Sequence, residues 1–73
     1  MLKKRSFSIA GHRTSIALEP EFWAELETEA RGKELALAAL IARLDAGRAD
    51  RNLASALRVH VLNGALEKAA TAP

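Results

Sequence analysis

Four cationic side chains lie within the first 18 residues of this 73-residue chain, and no acidic residue accompanies them. Lys3, Lys4 and Arg5 are adjacent, and Arg13 follows a short segment later. Ammonium and guanidinium groups concentrated in this way can neutralise a polyanion such as a nucleic acid backbone. A solubilising basic terminus is the simpler interpretation of the same residues. The acids are concentrated elsewhere, because residues 19–34 carry a net charge of −4.

Residue types that support catalysis or metal binding are few and are poorly spaced for either task. The chain has no cysteine, which excludes disulfides and thiolate metal sites. His12 and His60 are far apart in sequence, without the spacing of metal ligands. The glutamates of residues 19–34 are typical of a solvated helix face, and no nucleophile accompanies them. We therefore predict a protein that is not an enzyme, with no catalytic residues, no metal and no cofactor.

The length of the chain predicts a single small domain that needs further stabilisation. Domains of this size bury a modest fraction of their surface, and small ones rely on disulfides, metals or oligomerisation. With the first two excluded, we predict association with further copies of the chain. No apolar run approaches the ~20 residues of a membrane helix, so we predict no membrane partner and a cytoplasmic location.

Two segments near the start alternate polar and apolar residues with the period of a β-strand. They are residues 6–9 and 14–18, and they are separated by Ala10-Gly11-His12-Arg13. A hairpin within the chain is one interpretation, but an isolated two-stranded hairpin is barely stable in water. We therefore predict that residues 14–18 pair with the same segment of a second chain across a two-fold axis.

Helical periodicity follows, and it predicts three helices over about 20–31, 36–46 and 52–68. Pro20 suits a first helical turn, and Gly32 is expected to end the first helix. The fold class is therefore mainly α with a short β-strand. The third helix has a wide apolar face, which favours a contact with the core, a second dimer or another protein.

Longer motifs connect these elements to a known superfamily. "RTSIALEPEFWAELETEA" followed by "LALAALIARL" resembles the ribbon-helix-helix superfamily of Arc and MetJ type. "KRSFSIAGHRTSIALEPEFW" with "RNLASALRVHVL" resembles a small bacterial subgroup that has an additional C-terminal helix. The resemblance implies an intertwined homodimer with an intermolecular antiparallel β-ribbon. On this resemblance the chain is divided into four parts. They are a basic arm that could extend the ribbon (1–12), the ribbon-helix-helix core (13–46), the loop and C-terminal helix (47–68) and a disordered tail (69–73).

The resemblance also implies a function, a DNA-binding transcriptional regulator and repressor whose ribbon enters the major groove of double-stranded DNA. Outward residues of the strand would contact base edges, and these are Arg13, Ser15 and Ala17. Phosphates would be contacted by Lys3, Lys4, Arg5 and by the backbone of Leu37 and Ala38. The dimer core would contain Ile16, Leu18, Phe22, Trp23, Leu26, Leu40, Ile41 and Leu44.

Two features favour a different class of function. DNA-binding relatives often have a hydroxyl residue at the start of the second helix, where this chain has Ala36, and Glu34 nearby would repel a phosphate. The alternative is a protein-interaction or antitoxin-type dimerisation module with weak or no DNA binding. Its partner would dock on the C-terminal helix, or dimers would pair there into tetramers.

Overall fold

The computed structural model describes residues 1–71, which form a two-stranded antiparallel sheet and three helices. The strands and helices, in chain order, are β1 (Lys3–Ile9), β2 (His12–Leu18), α1 (Pro20–Gly32), α2 (Leu37–Ala46) and α3 (Leu53–Thr71). The mainly helical fold class is confirmed, and each helix lies within a few residues of its predicted bounds.

The partner of β2 is β1 of the same chain, and the two strands form a hairpin. Lys3 lies opposite Leu18 at one end of the register and Ile9 lies opposite His12 at the other. The prediction that the second strand lacks a partner within its own chain is therefore wrong, and residues 3–9, predicted as part of an arm that could extend the ribbon, form β1. An isolated hairpin would be barely stable in water, but this hairpin packs against the helices and buries Ile9 and Ile16, which stabilises it.

The turn between the strands consists of Ala10 and Gly11, with φ angles of 52° and 81°. Two positive φ angles are the requirement of a type I′ turn, whose twist matches that of the flanking strands. Gly11 adopts such a conformation without steric conflict, whereas the Cβ of Ala10 makes it unfavourable by about 1–2 kcal/mol.

The buried hydrophobic core is formed by residues of a single chain. Leu57 of α3 is fully buried and joins residues from the hairpin, α1 and α2. Six of the eight residues predicted for a dimer core are buried without any partner chain, while Phe22 and Leu44 are half-buried. The full set of buried apolar residues is Ile9, Ile16, Leu18, Trp23, Leu26, Ala30, Leu40, Ile41 and Leu57.

Helix α1 ends in a manner that the sequence did not predict. The Leu35 amide donates to the Ala30 carbonyl (2.8 Å) and the Glu34 amide donates to the Arg31 carbonyl (3.1 Å). These two bonds define a Schellman motif with Glu34 in the position where glycine is usual, and Glu34 has a φ of 56°. Gly32, expected to end the helix, is instead its last helical residue.

Glu34→Gly is therefore expected to stabilise the protein. Relief of the left-handed conformation should raise the free energy of unfolding by about 1 kcal/mol and the midpoint temperature by about 4–8 °C. Thermal unfolding followed by circular dichroism measures both. Lys33→Gly is the matched control, because φ is −95° at Lys33 and glycine there should only destabilise. Equal effects of the two substitutions would contradict this account.

Polar contacts fasten the first half of α3 to α1. The Arg58 guanidinium donates to the Glu19 carboxylate (Nε to Oε1, 3.0 Å) and lies 5.9 Å from the centroid of the Phe22 ring. Two residues further along α3, His60 Nε2 lies 2.6 Å from Oε1 of Glu29. These contacts and the burial of Leu57 make α3 an integral part of the domain rather than an appended segment.

Glu29 also receives a hydrogen bond from Lys33 Nζ to its other oxygen, at 2.7 Å. Burial alone would raise the pKa of the Glu29 carboxyl, but the hydrogen bonds from Lys33 and His60 outweigh it, so the pKa is lowered. The carboxylate therefore stays ionised to a lower pH than an isolated glutamate does, and it holds both partners.

Helix α3 is longer than predicted. It continues through Gly64 to Thr71, so residues 69–71 are helical rather than disordered as predicted. Residues 72 and 73, the rest of that predicted tail, lie outside the described part of the chain. Over residues 1–71, no helix has both the length and the apolar character needed to cross a membrane.

Candidate nucleic-acid interface

The hairpin has two faces of different chemistry, because successive side chains of a strand point to opposite sides. The inner face packs against the helices and contains Phe7, Ile9, Ile16 and Leu18, which are buried or packed against the core. The opposite side is open to solvent, and we call it the outer face. It consists of Lys4, Ser6, Ser8, Arg13, Ser15 and Ala17.

The three residues predicted to contact bases lie together on the outer face. Arg13 is exposed opposite Ser8, and Ala17 is half-buried opposite Lys4. Ser15 lies between them, opposite Ser6, which places two hydroxyl groups side by side. Neither strand contains an acidic residue, so the outer face offers hydrogen-bond donors and positive charge without a competing carboxylate.

Ser6 and Ser8 were missed as candidate contacts. The Oγ atoms of Ser6 and Ser15 lie 3.1 Å apart across the strands. Strand β1 therefore adds its own polar side chains to those of β2 on the outer face. The signal was present in the alternation of residues 6–9. Pairing that segment with residues 12–15 around the two-residue turn would have placed both serines on the same face as Arg13.

Arg5 lies on the other side of the hairpin from Lys4. Its guanidinium Nη1 donates to Oε1 of Glu27 at 2.6 Å, and its Cζ lies 5.1 Å from the centroid of the Trp23 ring. The hydrogen bond from Arg5 lowers the pKa of the Glu27 carboxyl. The charge of Arg5, one of the residues predicted to contact phosphates, is thus paired with a carboxylate of α1.

Lys3 and Lys4 begin β1, and both side chains are exposed. The carbonyl of Lys3 accepts a hydrogen bond from the Trp23 indole nitrogen at 2.8 Å, which holds the start of the strand against α1. Among the described residues, no carboxylate lies within ion-pair distance of either lysine.

Leu37 and Ala38 lie in the first turn of α2. Helix α2 begins after Ala36, which supplies no side-chain cap, and the intrahelical bonds from amide groups begin at Ala39. Leu37 packs partly against the core, whereas Ala38 is exposed. Their backbone N–H groups therefore have the orientation of a helix N-terminus, where anions are favoured.

A metal site does not form in the part of the chain that the structure describes, where no three His, Asp or Glu side chains are close enough to hold an ion. Three glutamates instead form ion pairs: Glu19, which precedes α1, pairs with Arg58, and Glu27 and Glu29 of α1 pair with Arg5 and Lys33. The exposed outer face of the hairpin is therefore the candidate functional surface.

Comparison with known proteins identifies the fold family. The family model described as a ribbon-helix-helix domain matches residues 2–65, which include the hairpin, α1, α2 and the packed half of α3. Searches among curated proteins and among solved structures give no match. Ribbon-helix-helix domains are generally non-enzymatic modules of DNA-binding transcription regulators, and they typically bind DNA as dimers. Because the match covers most of the chain, this protein belongs to the ribbon-helix-helix domain family.

Proposed function

We propose that this protein is a bacterial, cytoplasmic transcriptional repressor that binds double-stranded DNA as a homodimer through the outer face of its hairpin. The observation that carries the proposal is the grouping of Lys4, Arg13 and three serines on one exposed, acid-free surface. A two-stranded ribbon fits the major groove, which is about 12 Å wide. Occupation of an operator by the dimer would exclude other proteins from the same DNA.

Each base-contacting residue has a definite chemistry. Arg13 can donate two hydrogen bonds to guanine O6 and N7, and a good bidentate contact discriminates between bases by about 1–3 kcal/mol. The hydroxyl of Ser15 can donate to or accept from several base edges. Ala17 offers its methyl group to the methyl group of thymine.

The dimer would form along the free edge of β2. That edge is unpaired in the described chain, where the sheet contains only β1 and β2, and an unpaired edge is a template for another strand. Pairing of β2 with the β2 of a second copy would give a four-stranded sheet across a two-fold axis. An operator would then contain two symmetric half-sites.

The width of such a sheet assigns different roles to its strands. Strands are spaced by about 4.8 Å, so the two outer strands would lie about 14 Å apart, slightly wider than the major groove. The central β2 pair would therefore face the bases, and the flanking β1 strands would face the phosphates. Lys4 of each copy lies on the outer face and suits that flanking position, with the exposed Lys3 beside it at the start of β1. The amides of Leu37 and Ala38 would supply a further phosphate contact.

Titration of labelled duplex DNA with the protein, followed by fluorescence anisotropy, tests the proposal. We expect binding to random duplex at low salt, with log K falling by about 5 per decade of salt if the dimer contacts about six phosphates. Tight binding to an operator selected from a random library is also expected. Arg13→Ala should reduce the preference for that operator over random DNA by about 5- to 150-fold per protomer.

The matched control is Arg31→Ala, which removes another exposed arginine, in the last turn of α1. This variant should keep the wild-type preference. Absence of binding at low salt would contradict the proposal and would favour the protein-interaction or antitoxin-type module instead.

A further inference from the structure

Helix α3 has a second apolar face in addition to the one that packs into the domain. Leu53, Leu57 and Val61 contact the core. Val59, Leu62, Leu66 and Ala69 recur at spacings of three and four residues, so they share a different face of the same helix. We call these four residues the outer stripe. It contains no charged residue.

The outer stripe is largely open to solvent in the single chain. Leu62 and Leu66 are 54% and 57% exposed, and Met1 and Leu2 are the other large hydrophobic residues that are exposed. A helix that is apolar on two sides is normally buried between two partners. The domain supplies one of these partners, and the second side of α3 is uncovered in the described chain.

The distal half of α3 also lacks support from its own domain. Every described residue after Val61 is exposed except Gly64. Short helical segments without tertiary packing are marginal in water, and a glycine weakens the helix further. A helix that nevertheless continues to Thr71 is best explained by a partner on the outer stripe.

The total surface of the chain supports an uncovered interface. A folded protein of 7.9 kDa is expected to expose about 4,400 Å², whereas this chain exposes 5143 Å². The difference of about 700 Å² is close to the roughly 800 Å² that each partner buries in a standard stable interface. The long dimension of 43 Å, against 28 and 23 Å, is consistent with a projecting element.

We propose that the outer stripe binds the outer stripe of a second copy of this chain, with the two α3 helices antiparallel across a two-fold axis. The order of the residues is self-complementary in that arrangement. When Leu62 faces Leu66 of the partner subunit, Val59 faces the partner's Ala69, and the same contacts recur on the other side of the axis. A large residue thus meets a small one at each end, and leucine meets leucine at the centre. Uncharged interface cores of this kind are typical of homodimers.

This contact is separate from the DNA-binding face and from the edge of β2. If the chains also pair along β2, contacts through α3 would join two dimers into a closed tetramer. If they do not, α3 alone makes the dimer. In both cases loss of the α3 contact halves the mass of the assembly.

Sedimentation of single variants tests the surface. We expect Leu62→Glu and Leu66→Lys each to show half the mass of the wild type at matched concentration, with a circular dichroism spectrum of a folded domain that loses helix content at most over the distal half of α3. Leu2→Glu is the matched control, since Leu2 is 52% exposed and lies outside α3, and it should retain the wild-type mass. Wild-type mass in both α3 variants would overturn the proposal and leave the stripe to a different protein.

A double variant tests the antiparallel register. In Leu62→Glu/Leu66→Lys, each glutamate would face a lysine of the partner subunit, so the assembly should regain the wild-type mass at low salt and lose it at high salt. Failure of the double variant to associate, when both single variants dissociate, would overturn the proposed register. Neither measurement uses DNA, so its outcome is independent of the proposed regulatory function.

Discussion

Leu57→Ala is expected to lower the free energy of unfolding by about 2–5 kcal/mol. Leu57 is fully buried and is the residue through which α3 enters the core. Truncation removes apolar contacts and leaves a cavity at the meeting point of α3 with the rest of the domain. Since a chain of this length is stable by roughly 4–11 kcal/mol in total, the loss is a large fraction of its stability.

Urea unfolding followed by circular dichroism measures this effect. The matched control is Leu2→Ala, the same chemical change at a residue that is 52% exposed, and its cost should stay within about 0.5 kcal/mol. A cost below about 1 kcal/mol for Leu57→Ala would mean that α3 is not part of the cooperative domain. The measurement therefore tests whether the third helix is required by the fold.

The helices could be predicted because their signals are local. Pro20 fixes the start of α1, and the apolar periodicity of each helix is a property of a few turns of chain. Gly64 did not interrupt α3, because a single glycine has only a modest effect in a helix. The termination of α1 at Glu34 was missed because a charged residue in a left-handed conformation has no sequence signature.

The hairpin was predicted less well because its stability depends on residues distant in sequence. An isolated hairpin is marginal, and nothing in residues 3–18 alone reveals that Trp23 and the helices cover its inner face. The same long-range contacts determine which cationic side chains of β1 form ion pairs with α1. Arg5 is adjacent to Lys4 in sequence, but strand alternation and the carboxylate of Glu27 place it against α1. Arg13, Ser15 and Ala17 could be placed on one face from the sequence, because alternation within β2 alone decides which side they share.

Trp23→Ala is expected to have a comparably large effect, about 3–5 kcal/mol, and to act on the hairpin in particular. The Trp23 ring is 4% exposed and lies 5.8 Å from the ring of Phe7 between centroids. Its indole nitrogen donates to the Lys3 carbonyl at 2.8 Å, and the Arg5 guanidinium lies over its face. One side chain of α1 thus contacts three residues of β1.

Because Trp23→Ala removes so much packing, Trp23→Phe provides a milder companion. Phenylalanine keeps an aromatic ring but removes the hydrogen bond to Lys3, which should cost about 1 kcal/mol, plus a smaller packing loss. Urea unfolding followed by circular dichroism gives both values, and amide hydrogen exchange shows where protection is lost. We expect the amides of β1 to lose protection before those of α2 in both variants. Because β1 and β2 share the outer face, the proposed function also predicts weaker DNA binding when that protection is lost. Retention of full protection in β1 after Trp23→Ala would contradict the role of this side chain in holding the hairpin.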